Sequence, residues 1–411
     1  MKKNLLLRAA AAVAAYLTAS ALSCICAATE YEPYTPEDSQ EIQIYESGDY
    51  TYSVVHKADD ESFRAARIET YIGQDTEPVI PETLDGLPVV ALGDKAFRSN
   101  HLVTAVTLPK SLTILGTYSF AECDSLTEYR VAEGCTCFEA VDGILFSEDR
   151  TYLVRYPVGR RPTSYTVPEG VYDIGCSAFA YCGTLESITL PSSLTAIGET
   201  AFAGCSSLKQ VDIPSGVTLI EQFTFYRCSG LQSVTIPEGV TEIGKAAFAC
   251  TALSTVKLPD SLQYVGEAAF ADTPMMAVTI PSLVSEIGYS AFGWKLNSNN
   301  ELTAIEGFTI YGSGSGAAEY AKDEENGDAF IYISQSTDAA TSSDSVITTS
   351  AAASSSSEQG IGIGRLIGII ACCAALAAIL IAAVLSFIRG KSRKKQNSGA
   401  GSGKEDGEVR E

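Results

Sequence analysis

Few residues of the 411-residue chain have the type and spacing that catalysis needs. An imidazole acts as a general base only beside a nucleophile and an orienting carboxylate, and the sequence predicts loops or caps around the two histidines, His56 and His101. The alternating glycines and serines of residues 312–316 do not lead from a strand into a long helix, as a phosphate-binding loop does. We therefore expect no catalytic residue and no cofactor.

Cysteine is the other reactive side chain, with twelve in the chain. Five of them follow a phenylalanine closely and are interpreted as one repeated position: Cys123, Cys182, Cys205, Cys228 and Cys250. Neighbouring parallel strands lie about 4.8 Å apart, but their in-register Cβ atoms are farther apart than the roughly 3.8 Å that a disulfide prefers. We expect a column of buried free thiols. The spacing of Cys135, Cys137 and Cys176 is too irregular for zinc, so no metal site is predicted.

The elements that would position these side chains come from a repeat of 22 or 23 residues. Its clearest mark is a phenylalanine after a small residue, at Phe97, Phe120, Phe179, Phe202, Phe225, Phe248, Phe270 and Phe292. Segments such as Leu208–Ile213 alternate like a half-buried strand, and the following proline ends the strand because it has no N–H to donate. A glycine such as Gly244 is expected to supply a bend. Since no repeat buries its apolar side alone, we predict a solenoid of stacked coils, here called rungs, with a parallel strand ladder over residues 93–304.

The same strand segments predict which side chains point outward along one face of the solenoid. The candidate binding face consists of Thr107, Arg130, Ser187, Thr189, Gln210, Asp212, Ser233, Thr235, Thr255, Lys257 and Thr279, and Ala105 is expected to point outward with them. We expect two parallel columns. Small hydroxyl residues there are either ordinary solvent-facing strand residues or the extended recognition surface that solenoids offer, and the sequence leaves both interpretations open.

The pattern Ile-Pro-x-x-Val-x-x-Ile-Gly-x-x-Ala-Phe-x-x-Cys-x-x-Leu-x-x-Val resembles the BspA-type leucine-rich repeat of bacterial surface proteins. Three other segments resemble variants seen in that family: an N-terminal region and cap at residues 29–92, an insertion at 135–165 and a closing cap at 305–333. One rung departs from the pattern, with Glu221 in place of the glycine. The resemblance implies a leucine-rich repeat fold and adhesion to, or interaction with, macromolecules of a host or neighbouring cell.

The N-terminus indicates export. Residues 1–28 have Lys2, Lys3 and Arg8 around the start of an apolar run and end in small residues, which is typical of a secretory signal peptide. A lipoprotein anchored through Cys24 is the weaker alternative, because the residues before it match a lipidation motif poorly.

The C-terminal region predicts attachment to a membrane. Residues 365–388 contain an uncharged apolar stretch that is long enough for one transmembrane helix. Basic residues begin the 389–411 tail, so we expect a cytoplasmic C-terminus and an extracellular solenoid in a single-pass protein of the cell membrane. Residues 334–364, rich in Ser, Thr and Ala, are predicted to be a tether.

Charge narrows the choice of partner. The formal net charge of −22 argues against nucleic acid, whose binding depends on clustered Lys and Arg. The family resemblance then implies an extracellular protein or glycan ligand, and the C-terminal helix is expected to attach the protein to the membrane. A structural spacer or a signal-transmitting surface receptor without an adhesive role is the alternative, and a surface hydrolase is the third.

Overall fold

In the computed structural model, the described residues are 31–33, 42–57, 59–323 and 329–335, and all of them lie in one compact unit, residues 1–339. The predicted signal peptide, the transmembrane segment, the tail and nearly all of the tether lie outside these residues. Within the described ranges, no helix has both the length and the apolar character needed to cross a membrane.

Short strands dominate the secondary structure. In chain order, the strands are β1 Tyr31–Pro33, β2 Ile44–Ser47, β3 Tyr50–Lys57, β4 Asp60–Tyr71, β5 Thr83–Leu84, β6 Leu87–Leu92, β7 Ala105–Leu108, β8 Ile114–Leu115, β9 Glu128–Val131, β10 Phe138–Val141, β11 Ile144–Ser147, β12 Tyr152–Arg155, β13 Ser164–Thr166, β14 Asp173–Ile174, β15 Ser187–Thr189, β16 Ala196–Ile197, β17 Gln210–Asp212, β18 Leu219–Ile220, β19 Ser233–Thr235, β20 Glu242–Ile243, β21 Tyr264–Val265, β22 Ala277–Ile280, β23 Glu286–Ile287, β24 Trp294–Leu296, β25 Leu302–Ala304, β26 Phe308–Gly312 and β27 Phe330–Ser334. Among the described residues, one α-helix, α1, spans Ser315–Ala321, and one turn of 3-10 helix spans Val158–Arg160.

The chain coils into a solenoid with two columns of parallel strands, which confirms the predicted fold class. The first column contains the ladder β13–β15–β17–β19, and the second contains β18–β20–β21–β23. Antiparallel strands occur beside the rungs: β2, β3 and β4 precede the first rung, and β10, β11 and β12 form the insertion. The insertion is joined to the second column through the parallel pair β12–β14.

A stack of phenylalanine rings fills the solenoid core. From Phe179 to Phe292 the centroids of successive rings are 4.9–5.3 Å apart, and the ring planes differ by at most 14°. This centroid spacing is close to the separation of neighbouring strands, so rings and backbone repeat in step. The backbone is aligned in the same register as the rings, because the N–H of Phe225 donates to the carbonyl of Ala247 on the next rung at 2.8 Å.

The rung glycines allow close approach between neighbouring backbones, which is a requirement additional to the bend expected at Gly244. A Cβ atom at Gly244 would lie 2.6 Å from the nitrogen of Gln222, and one at Gly288 would lie 2.4 Å from the nitrogen of Glu267. No ordinary contact is that short, so only glycine fits while the backbones remain this close. The Gly244 N–H then donates to the carbonyl of Ile220 at 2.7 Å.

The rung with Glu221 shows what happens without this glycine. Among the described residues no backbone hydrogen bond joins Glu221 to the preceding rung, and the second column is interrupted between β16 and β18. Burial raises the pKa of the Glu221 carboxyl, and the carboxylates of Glu242 and Glu199 raise it further. In this rung, the backbone contact that a glycine makes elsewhere is thus replaced by the half-buried carboxylate of Glu221, which repels the carboxylates of Glu242 and Glu199.

A buried arginine spans another interruption, between the rung of β8 and the insertion. Arg155 is 6% exposed, and its guanidinium donates to the carbonyls of Gly116 at 3.0 Å and Thr117 at 2.8 Å. It also donates to the carbonyls of Val154 and Cys176. Backbone carbonyls on both sides of the interruption are therefore satisfied by one side chain.

Residues 254–258 lie in no strand, which corrects the prediction of a strand at Thr255 and Lys257. Both side chains are exposed, but no backbone–backbone hydrogen bond among the described residues involves an N–H of this segment. The chain from Phe248 to Leu253 is one residue shorter than the equivalent chain from Phe225 to Leu231. The segment does not continue the register of β19, and the first ladder stops there.

We predict that Phe225→Ala lowers the free energy of unfolding by about 3–5 kcal/mol, because it leaves a cavity in a fully buried stack. Chemical denaturation of the purified protein measures the change. Tyr172→Ala is the control, since Tyr172 is 52% exposed and should change stability by less than about 1 kcal/mol. Equal effects of the two substitutions would contradict the assigned register of the stack.

We predict that Glu221→Gln raises the melting temperature at pH 7.5 and that this gain disappears as the pH falls towards about 4. A carboxyl whose pKa is raised in the folded protein destabilises the fold when ionised, and protonation removes this cost. Calorimetry at several pH values measures the difference. Glu238→Gln, at an exposed position, is the control. A gain that grows on acidification would contradict the explanation.

Candidate binding face

The longest uninterrupted surface of the first column is the ladder β13–β15–β17–β19, here called the strand face. Its strands pair in register, with Ser164 opposite Ser187 and Gln210 opposite Ser233. The eight outward side chains are all exposed and polar: Ser164, Thr166, Ser187, Thr189, Gln210, Asp212, Ser233 and Thr235. They form the two predicted columns over four rungs.

Inward residues fix the strand face to the core. Val211 is 1% exposed, while Ile188 and Val234 are partly buried and pack against the same cluster. The Tyr165 ring packs against Tyr156 and Phe179, with centroids 4.9 and 5.7 Å away. Outward groups are therefore held by a ladder and by close-packed rings, which positions them before any ligand binds.

Hydrogen-bonding capacity remains available on this face. Thr235 donates its hydroxyl to Asp212 Oδ1 at 2.6 Å, and Lys209 pairs with Glu186 beside the columns. Among the described residues, the hydroxyls of Ser187, Thr189 and Ser233 have no hydrogen-bond partner. A ligand could therefore use hydroxyl donors and acceptors without displacing an existing protein contact.

The structure does not unite all of the predicted face. Thr107 and Arg130 belong to a separate two-stranded sheet, β7–β9, and Thr279 lies on β22 in a third sheet. Thr255 and Lys257 lie in the interruption described above. The expectation of two continuous columns from Thr107 to Thr279 is therefore wrong.

The first of these breaks comes from the inserted hairpin. Its turn, at Asp142 and Gly143, has positive φ at both residues, and the Gly143 carbonyl accepts the N–H of Tyr129 at 2.9 Å. This contact occupies the edge of β9 and stops the sheet before β13. Between β9 and the hairpin lies an open cleft of about 590 Å³ whose charged lining includes Glu128, Glu139 and Glu148.

Thr107 and Arg130 are also less available than expected. Thr107 is half-buried and bridges to Val79, while Ala105, expected outward, is only 2% exposed. Arg130 donates to Glu77 Oε2 at 2.8 Å and to Glu128. Its charge is thus already paired, through a contact with a residue 53 positions away that no local pattern indicates.

The strand face has two members that the sequence analysis missed, Ser164 and Thr166. Ser164 was assigned to the insertion and Thr166 was left out of the predicted face, but Ser164-Tyr165-Thr166 is followed by Val167 and Pro168, as Ser187-Ile188-Thr189 is followed by Leu190 and Pro191. The shared Ser-x-Thr-x-Pro pattern could have found them.

The repeats match a known family of leucine-rich repeats. Residues 86–141 and 172–299 match, in six copies, the family described as BspA type leucine rich repeat region. The repeats in these two ranges are BspA-type leucine-rich repeats. Curated proteins gave no match.

Several solved structures are similar to this leucine-rich repeat protein. A leucine rich cell surface protein from Faecalibacterium prausnitzii is 21% identical, with 73% of this chain and 74% of that chain covered and a TM-score of 0.35. A leucine-rich repeat protein from Bacteroides ovatus is 20% identical, with 70% and 76% covered and a TM-score of 0.39. The pneumococcal vaccine antigen PcpA is 16% identical, with 72% and 100% covered and a TM-score of 0.39. With such partial superpositions, the family assignment depends on the repeat match.

Four of the repeat cysteines form the predicted buried column: Cys123, Cys182, Cys205 and Cys228. All eight cysteines of the described residues are free. The Cys205 thiol donates to the carbonyl of Phe179, and the Cys228 thiol donates to the carbonyl of Phe202, at 3.2 and 3.1 Å. Burial raises the pKa of Cys123 and of Cys182 to about 12, so these leucine-rich repeat thiols stay protonated and unreactive at neutral pH.

Cys250 was wrongly assigned to this column. It lies two residues after Phe248, at the left-handed position that Arg227 occupies in the preceding rung, and it is partly exposed. Thr251 occupies the buried position and donates its hydroxyl to the carbonyl of Phe248 at 2.9 Å. The misassignment arises because the shortened turn shifts the alignment by one residue.

No catalytic arrangement appears around the histidines of the described residues. His101 Nδ1 lies 2.7 Å from Asp124 Oδ1, but the pair is more than half exposed and the Ser125 hydroxyl donates to the backbone carbonyl of His101 instead of its ring. His56 contacts the carbonyl of Lys57. Within the described part of the chain, no three His, Cys, Asp or Glu side chains lie together so that they could hold a metal ion.

We predict that native alkylation at pH 8 labels Cys250, Cys135 and Cys137 well before the four buried cysteines, because only exposed thiolate reacts. Peptide mass spectrometry gives the order of labelling. In denaturant without reductant, all eight cysteines outside the terminal apolar segments should be labelled. Rapid native labelling of Cys205, or its failure to react after denaturation, would contradict the buried free-thiol column.

Proposed function

We propose that the protein is anchored in the cell membrane by its C-terminal apolar segment and binds an extracellular protein or glycan through the strand face. The single observation that carries this proposal is the face itself: eight exposed polar side chains in register on a rigid four-strand ladder. The signal peptide and membrane span predicted from the sequence support the extracellular position of this face.

The composition of the face favours an extended contact made of many weak interactions. Its outward residues are small or of medium size and include none of the aromatic side chains that dominate compact hot spots. Four strands about 4.8 Å apart span roughly 14 Å across the ladder. A ligand would therefore have to present repeated polar groups over that distance, as an exposed polypeptide or an oligosaccharide does.

An array of extracellular matrix proteins, mucins and glycans, probed with residues 29–335, identifies the class of ligand. We predict that Thr166→Glu, Thr189→Glu and Thr235→Glu together weaken binding at least about tenfold, or roughly 1.4 kcal/mol. The added carboxylates enlarge one exposed column and repel acceptor groups of the ligand, while the core stays unchanged.

A matched control is available on the same rungs. Thr195, Thr218 and Thr241 recur at the same spacing and are exposed, but they lie beside the second column. Glutamate at these three positions should leave binding within about twofold of wild type. A folded Thr166/Thr189/Thr235 variant that binds at wild-type strength would exclude the strand face.

The proposed topology has its own test. Protease added to intact cells should remove the leucine-rich repeats and leave an epitope placed after Lys395 undigested, because the basic residues there favour the cytoplasmic side. Loss of that epitope while the repeats persist would contradict the topology without bearing on the ligand.

A further inference from the structure

The last strand of the first column, β27, has one edge that no other described strand covers. It pairs with β26 in parallel from Phe308↔Phe330 to Gly312↔Ser334, and no other pairing involves it. The Gln335 N–H donates to the Gly312 carbonyl at 3.0 Å. Because hydrogen-bonding groups alternate sides along a strand, the N–H and C=O groups of Phe330, Tyr332 and Ser334 point away from β26.

This edge lacks the features that normally prevent strands from pairing with other chains. Residues 330–334 contain no charge and no proline, which are the usual means of protecting an edge. Ile331 and Ile333 are 50% and 41% exposed on the outward side. Phe330 and Tyr332 pack against the main core but are only partly buried, so the core is incompletely covered at this end.

We propose that β27 pairs antiparallel with β27 of a second copy of this chain, in a register centred on Tyr332. Tyr332 then lies opposite Tyr332 of the partner subunit, and Phe330 opposite Ser334 of the partner subunit. These are the residues whose backbone groups point outward, so each such pair exchanges both of its hydrogen bonds. Ile331 lies opposite Ile333 of the partner subunit, and a two-fold axis makes the contact self-complementary.

The segment that follows β27 in the same chain is a poorer match for this edge. In residues 336–359 the only apolar residues larger than alanine are Val346 and Ile347. Since adjacent residues of a strand point to opposite faces, this pair cannot cover both Ile331 and Ile333. A second β27 supplies two isoleucines on one face, and the strand itself contains no charged residue. We therefore commit to a second copy as the occupant.

The contact is small, because five-residue strands bury less than the roughly 1,600 Å² of a typical stable interface. Association should therefore depend on concentration. The strand face consists of β13, β15, β17 and β19 and contributes no residue to the proposed contact between the two β27 strands. Dimer formation and ligand binding are therefore separate properties that can be lost independently.

Sedimentation of the full chain in detergent micelles over a range of protein concentrations tests the proposal. We expect a concentration-dependent dimer whose dissociation constant rises at least tenfold with Ile331→Lys plus Ile333→Lys. The matched control is Ile42→Lys plus Ile44→Lys, which changes two exposed isoleucines, 48% and 52% exposed, at the opposite end of the described chain. The control should dimerise like wild type.

Oxidative cross-linking then tests the register. Full chains with Ile331→Cys are mixed with full chains that carry Ile333→Cys. We expect the disulfide between residues 331 and 333 to form in higher yield than the 331–331 or 333–333 disulfide that each variant forms alone. In sedimentation, a monomer at every concentration, as expected if the chain covers its own edge, would overturn the proposal, and so would a dimer that is insensitive to the β27 lysines. In cross-linking, a preferred disulfide in another register would overturn it. Melting curves verify that each variant is folded.

Discussion

The stacking of phenylalanine rings at the spacing of the strand ladder is the constraint on which this structure depends. Ring centroids 4.9–5.3 Å apart leave no room for water, so each rung must place its aromatic side chain directly over the last. Backbone hydrogen bonds, such as that from the Phe202 N–H to the Thr224 carbonyl, then join neighbouring rungs in the same register. Because the inward side chains are fixed in this way, the outward ones align into columns.

Departures from the repeat determine where the outward surface is interrupted. The inserted hairpin occupies the edge of β9, and the ladder ends at β19, before the rung in which the turn after Phe248 is one residue shorter. The second column is interrupted between β16 and β18, where Glu221 replaces the glycine, while β15 and β17 of the same two rungs still pair at Ser187 and Gln210. The proposed binding surface is therefore the part of the solenoid where the first column has no departure, and its width follows from the positions of the insertion and the deletion.

Sequence reasoning succeeded where a residue's role is set by its own rung. The phenylalanines, the alternating strands and the buried Cys182, Cys205 and Cys228 follow from periodicity and hydrophobic pattern, and they are placed as expected. It failed where the role depends on a neighbouring rung. The Gly244 requirement comes from the Gln222 backbone, and the half-burial of Thr107 comes from Val79. The deletion near Cys250 could be placed on either side of the cysteine, and it is placed by the left-handed backbone of Cys250 together with the buried, hydrogen-bonded side chain of Thr251.

A continuous ladder makes the strand face rigid, and this ladder ends after β19. Native-state hydrogen exchange followed by mass spectrometry tests it most directly. Peptides covering residues 209–213 and 232–236 should exchange slowly, since their amides are held between rungs, whereas a peptide covering 254–258 should exchange orders of magnitude faster. Equal protection of 254–258, or rapid exchange throughout β15, β17 and β19, would contradict the account.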